Sequence, residues 1–272
     1  MSRLIERLLD GAVDTHVHCA PDAVPRKLND VELANGAARA RMAAIVLKSH
    51  HTPTSARAVI ADEMVPNVRV FGGVALNFPC TGGLNADAVI ANARSGAKIV
   101  WMPTVSAANH QRFLAAQPDA QIGRLGKGYS GRSISLLGPD AVSASELRAV
   151  LQAIAQADLV LATGHFDRDE QFFLVQEAKA AGVTRIMVNH PELAMTRLNI
   201  KDQKALADEG VYLERCIRCF TKDGHKSSVQ GLVPDIRAVG FESTILATDY
   251  GVPNIPDPVE GLADFAEELH AG

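Results

Sequence analysis

An acid and two imidazoles stand at alternate positions in Val13-Asp14-Thr15-His16-Val17-His18, directly after a short apolar opening. On a β-strand alternate side chains share a face, so Asp14, His16 and His18 are expected to project together. Two neutral imidazoles one strand repeat apart can grip a divalent ion. A nearby carboxylate, here Asp14, can fix a ring through the nitrogen that does not bind metal. The same residues also suit a polar strand edge that binds nothing. Three further clusters at the ends of later apolar runs favour the metal: Thr163-Gly164-His165, Val188-Asn189-His190-Pro191 and Ala247-Thr248-Asp249-Tyr250-Gly251.

Groups this far apart need a scaffold that gathers strand ends. Residues 43–47 form a continuous apolar run ending in Lys48-Ser49-His50-His51, the pattern of a strand buried on both faces whose end reaches a pocket. Further strands are expected at 68–76, 99–102, 159–163, 185–188, 211–214 and 244–247. Helices are expected between them at 30–42, 54–64, 85–95, 143–156, 167–181, 200–209 and 226–239, with an acidic one at 256–270. Asn29 or Asp30 caps the first, and Gly96, Gly182 and Gly210 stand at stop positions. After the fourth strand the rhythm breaks, and the glycine-rich stretch 117–140 reads as an inserted loop or hairpin. Eight strands alternating with helices predict a (β/α)₈ barrel in which residues 1–272 form one domain. Its strand C-termini open on one face, where the polar residues would converge. A doubly wound open sheet is the competing fold, but no Gly-x-Gly-x-x-Gly turn follows the first strand.

A chain of 272 residues, 47% apolar, can build a sizeable core. With a formal net charge of −4 and no basic block, nucleic acid is not an expected partner. The sequence has no signal-peptide pattern and no bilayer-length apolar run, so a soluble cytoplasmic protein is expected. Cys216 and Cys219 are spaced like half a zinc knuckle or a redox pair, but no second pair completes a site, and free thiols are expected at Cys19, Cys80, Cys216 and Cys219.

The order of these motifs resembles the amidohydrolase superfamily of metal-dependent barrel enzymes, over nearly the whole chain. His16-x-His18 ends strand one, His165 strand five, His190 strand six and Asp249 strand eight. The resemblance implies that His16, His18 and Asp249 bind a catalytic divalent metal, while His165 and His190 bind a second ion or hold substrate and transition state. Zinc on imidazole and carboxylate ligands lowers the pKa of a bound water to ~7. Asp249 is then expected to move a proton to the leaving group while His190 or His165 stabilises the oxyanion. One or two zinc ions are expected, with manganese, iron and nickel as alternatives. Two-metal members carry a carboxylated lysine or a glutamate at the end of strand four, where this chain has Trp101-Met102-Pro103-Thr104. Lys48 is carboxylated in its place, pairs with an acidic substrate, or stays an unmodified structural lysine.

His50 shares parity with Lys48 and is a candidate substrate or metal contact, whereas His51 points away if the strand persists. Glu214 either contacts substrate or supports a ligand, or pairs with Arg215 or Arg197. Arg197, Arg215 and Arg218 would suit a substrate carboxylate or serve as surface charge. Trp101, the sole tryptophan, is an aromatic wall for a planar ligand or core filling. His110, His225 and His270 are expected to face solvent. The function expected is metal-dependent hydrolysis of an amide, cyclic amide or lactone in a small, acidic substrate. Metal-dependent decarboxylation, phosphoester hydrolysis and non-catalytic metal binding are the alternatives. Self-association into a homo-oligomer fits the apolar, modestly charged chain.

Overall fold

Residues 3–117, 132–220 and 228–272 are described by a computed structural model of the protein. Eight parallel strands, β1 (Val13–His18), β2 (Ala44–Lys48), β3 (Arg69–Ala75), β4 (Ala97–Trp101), β5 (Val160–Ala162), β6 (Ile186–Asn189), β7 (Tyr212–Cys216) and β8 (Thr244–Ala247), pair in sequence order. The ring closes just past the end of β8: Asp249 N donates to His16 O at 2.8 Å, and His18 N donates to Tyr250 O at 2.8 Å. A (β/α)₈ barrel results, and the open doubly wound sheet is excluded by that closure.

Two apolar layers hold it. Inside the ring, Val46, Ala75, Ile99, Trp101, Ala162 and Met187 pack on one another. Outside, helices such as Ala144–Gln156 and Arg168–Ala180 lay Leu147, Val150, Ile154, Leu174 and Val175 against the sheet. β2 is buried along its whole length, as a strand covered on both faces must be. Capping boxes at Asn29 with Glu32 and at Asp167 with Glu170 start two helices by satisfying their free N–H groups. At Gly251 (φ 138°) an added Cβ would stand 1.9 Å from His18 O, so only glycine lets the end of β8 approach β1 this closely.

The expected helix at 30–42 ends earlier, at Arg39, and residues 108–116, between the fourth strand and the expected insertion, form a helix, Ala108–Ala116. The helix expected at 226–239 is a 3₁₀ turn, Val229–Gly231, leading into Leu232–Val239. Within the stretch expected as an insertion, residues 118–131 lie outside the described residues. The remainder, 132–140, makes bridges through Ile134 to Ala107 and through Ser135 to Ala141. Among the described residues no helix is long and apolar enough to cross a membrane.

Candidate metal centre

β1 does not alternate strictly. Its register against β2 shifts between Asp14 and Val17, and the consecutive residues Thr15 and His16 both reach one carboxylate, Glu214. Thr15 Oγ1 donates to Oε1 at 2.7 Å, and His16 Nδ1 lies 2.9 Å from Oε2. Asp14 therefore does not share their face, contrary to the alternation argument. Its carboxylate accepts from His16 N, Thr248 N and Thr248 Oγ1 (3.1, 3.1 and 2.6 Å), tying β1 to the end of β8. Burial pushes the Asp14 carboxyl up to about 7 in spite of these bonds. The bulge aims His16 and His18 into the barrel mouth.

There His16 Nε2 lies 2.9 Å from Asp249 Oδ1, and His18 Nε2 lies 3.1 Å from the same oxygen. These three donor atoms fall within 4.8 Å of one another. Burial first, and the Arg26 guanidinium second, lower the pKa of His18 to about 3, so its ring is neutral at pH 7. Burial and Lys48 disfavour a proton on His16, but Asp249 and Glu214 on either side outweigh them and raise its pKa. The Asp249 carboxyl is held well below the usual range by His16 and His18, although burial opposes this. A neutral imidazole, a second imidazole flanked by carboxylates, and an ionised carboxylate converge, and His18 Nδ1 is buried with no hydrogen-bond partner among the described residues. This donor set fits a divalent cation of the zinc class.

Lys48, at the end of β2, is 1% exposed and places Nζ 2.8 Å from His16 Nε2 and 5.6 Å from the Trp101 ring centroid. Burial lowers its pKa. His165 and His190 complete the mouth, their ring centroids 5.1 Å apart, with His190 6.0 Å from His16. His190 Nδ1 faces Thr196 Oγ1 at 3.3 Å, and that hydroxyl gives its hydrogen to His190 O. A hydrogen on His190 Nδ1 would complete this bond and leave Nε2 a lone pair. Burial lowers the pKa of His190 to about 4 and that of His165 well below normal. His190 and Asp249 occupy the left-handed region (φ 32° and 53°), a cost of about 1–3 kcal/mol each that is characteristic of functional positions. His50 stands at the rim, 4.9 Å from the His18 ring and bonded through Nδ1 to Thr104 Oγ1 at 2.8 Å.

Several expectations are corrected. Glu214 is fully buried with both oxygens engaged, Oε2 also accepting from Asn189 Nδ2 at 2.7 Å, which places it beside the His16 ring as the ligand-supporting alternative requires and not on the open face of the site. Arg215, on the opposite side of β7 by strand alternation, is fully buried against Glu192, so it neither meets a substrate carboxylate nor lies on the surface. Trp101 is fully buried in the inner apolar layer and is core filling, not a ligand wall. His110 is also fully buried, its Nδ1 2.6 Å from His165 Nδ1 with the rings stacked, because the helix carrying it, Ala108–Ala116, follows the loop that leaves the C-terminal end of β4. His225 lies outside the described residues, while His270 is exposed on the last helix. All four cysteines are free; Cys216 Sγ lies 4.0 Å from His16 Nδ1, and burial keeps it a thiol.

The loop after β1 adds a group that sequence reasoning passed over. Burial would raise the Asp22 carboxyl, but hydrogen bonds from His51, Arg26 and Ser49 hold it well below the usual range. Asp22 thereby pins His51 and holds Arg26 beside His18.

A family model described as a family of unknown function, DUF6282, matches residues 11–214. The chain matches no curated protein sequence. Among solved structures it is similar to an amidohydrolase from Pseudomonas aeruginosa at 11% identity and a TM-score of 0.57, over 100% of this chain and 92% of that one. A D-hydantoinase from Bacillus sp. AR9 aligns at 12% identity and a TM-score of 0.51, over 89% of this chain and 59% of that one. An L-hydantoinase (dihydropyrimidinase) from Arthrobacter aurescens aligns at 14% and 0.50, over 96% and 61%. The chain thus spans about three fifths of the hydantoinases it resembles. At these identities the likeness establishes the fold, that of the amidohydrolase and hydantoinase barrels. By the match over most of its length, the chain belongs to the family of unknown function DUF6282.

Proposed function

We propose that the protein is a metal-dependent hydrolase acting on the carbonyl of an amide, cyclic amide or lactone. The observation that carries this reading is the meeting of His16 Nε2, His18 Nε2 and Asp249 Oδ1 at the C-terminal mouth of the barrel, with His165 and His190 facing them. His16, His18 and Asp249 would hold the ion, proposed as zinc. Lys48 is a fourth candidate, as a ligand through its amine or a carbamate, or as the partner of an acidic substrate. When bound, the ion supplies Lewis acidity and lowers the pKa of a water to ~7.

The chain's own groups do the rest. Asp249, kept ionised, can take a proton from the attacking water and return it to the leaving group. Glu214 fixes the His16 ring, holding the Nδ1 hydrogen so that Nε2 faces the ion. His190, with its lone pair on Nε2, suits a base or a further ligand. His165 donates to the carbonyl oxygen when the hydrogen it shares with His110 sits on His110. An acidic group on the substrate is supported by Lys48 and by Arg26 beside His18.

A one-ion decarboxylase is the second reading, favoured by one observation: β4 ends in the buried Trp101 and brings no bridging group. The test is turnover of metal-loaded protein on a panel of amides, cyclic amides, lactones and β-keto or aromatic carboxylates. Hydrolysis that is lost on chelation and in Asp249→Asn supports the first reading. Carbon dioxide release without hydrolysis supports the second, and a metal-loaded protein inert across the panel contradicts both.

A further inference from the structure

At the opposite end of the barrel the strands line a second space, open to solvent on one side. A cavity of about 290 Å³ lies on the barrel axis at the N-terminal mouth, and every strand, or the residue just before it, contributes a side chain. Its wall is apolar: Val46, Phe71, Ile99, Val160, Met187 and Ile245. Barrels of this kind normally fill the axis with layers of branched side chains. Here the inner layer is built partly from the small residues Ala75 and Ala162 around Trp101, and space remains beneath it.

Beside the neutral Thr15 and Tyr212, the charged part of the lining has one sign. Lys98 and Arg185 line the cavity, and none of its lining residues is a carboxylate. Arg185 is paired outward with Asp158 at 2.5 Å. Lys98 has no ion-pair partner among the described residues. A largely apolar pocket, open to solvent on one side and carrying the exposed Lys98 at its edge, selects a ligand with an apolar tail and one anionic head. A neutral molecule would leave Lys98 unused, and a second charge would have to enter apolar surroundings.

We propose that this axial cavity binds a medium-chain aliphatic carboxylate, with the tail along the six apolar side chains and the head group at Lys98. At about 30 Å³ for each water- or methylene-sized group, the ~290 Å³ holds a chain of about eight to ten carbons. The site is separate from the metal centre, so binding is expected equally in chelated and metal-loaded protein.

Trp101 is the chain's only tryptophan and packs in the same layer as Val46, Ile99 and Met187, so its emission reports occupancy. Titration of the full chain with sodium octanoate, below its micelle concentration, is expected to give a saturable change in that emission. Hexanoate should bind weaker by about fourfold for each methylene removed. 1-Octanol should bind weaker than octanoate by about fivefold, and Lys98→Met should weaken octanoate by about the same factor without changing 1-octanol. Val160→Phe, checked for native circular dichroism, fills the cavity and should abolish the response to both. The proposal is overturned by a non-saturable response to octanoate, by equal affinity for octanoate and 1-octanol, by indifference to Lys98→Met, or by unchanged binding in a folded Val160→Phe protein.

Discussion

Both oxygens of Glu214 are committed, to Thr15 and to His16 and Asn189, so the orientation of one proposed ligand depends on a side chain that never meets the solvent. Glu214→Gln keeps the shape and removes the charge. It is predicted to weaken divalent-ion affinity by about 10–100-fold with the fold intact, as read by competition with a chromophoric chelator. An unchanged affinity would show that His16 is held by other means. The neutral imidazoles give a second prediction. With folded pKa values of about 3 for His18 and about 4 for His190, and ~6.5 when unfolded, unfolding takes up protons below about pH 6.5. Their contribution to stability is therefore whole above that pH and falls as the pH drops toward 4, by up to about 1.4 kcal/mol per pH unit for each ring. Urea midpoints of chelated protein at pH 7, 6 and 5 should decline, and less steeply in His190→Asn; a flat profile would contradict neutral buried rings. His16 and His18 were legible in the sequence through their alternate spacing after a short apolar opening, and His165, His190 and Asp249 because each closely follows an apolar run. Glu214, not Asp14, meets the His16 ring, because the bulge in β1 that turns Asp14 toward Thr248 leaves no mark on composition. The burial of His110 was hidden because its contact with His165, 55 residues away, is tertiary and leaves no local signal.

At the scale of elements, the site depends on β8 returning to β1. The hydrogen bonds Asp249 N to His16 O and His18 N to Tyr250 O place ligands from the two ends of the chain side by side, and Gly251 leaves the room for it. Gly251→Ala puts a methyl group into His18 O. The variant is predicted to lose about 2–3 kcal/mol of stability and most of its ion affinity, measured by urea denaturation and metal titration on the same preparation. A variant with native ion affinity would mean that the closure does not set the geometry. Most strands were readable from the sequence because they are short, largely apolar runs, and several helices because a cap such as Asn29 or a stop such as Gly96, Gly182 or Gly210 bounds them. The ends of these elements were not, since termination depends on tertiary contacts. β7, for instance, continues through Arg215 and Cys216 because Arg215 finds Glu192 on the loop after β6.

For the whole molecule, a closed barrel that holds an ion between its first and last strands couples metal binding to folding. A ligand at a hundredfold excess over its Kd stabilises the folded state by about 2.7 kcal/mol, and about 2–4 °C of melting temperature accompanies each kcal/mol in a chain of this size. Removing the ion with a chelator is thus predicted to lower the melting temperature by about 5–10 °C, reversibly on adding zinc; no shift would place the ion away from the closure. The barrel itself was legible because strand and helix alternate at near-constant spacing, whereas the axial cavity was not, because no single strand reveals how far opposing side chains reach across the ring. The most direct test of the account is anomalous diffraction from metal-loaded crystals at the absorption edge of the bound ion. It predicts a peak bonded to His16 Nε2, His18 Nε2 and Asp249, and a strong peak elsewhere, with none between these three side chains, would contradict it.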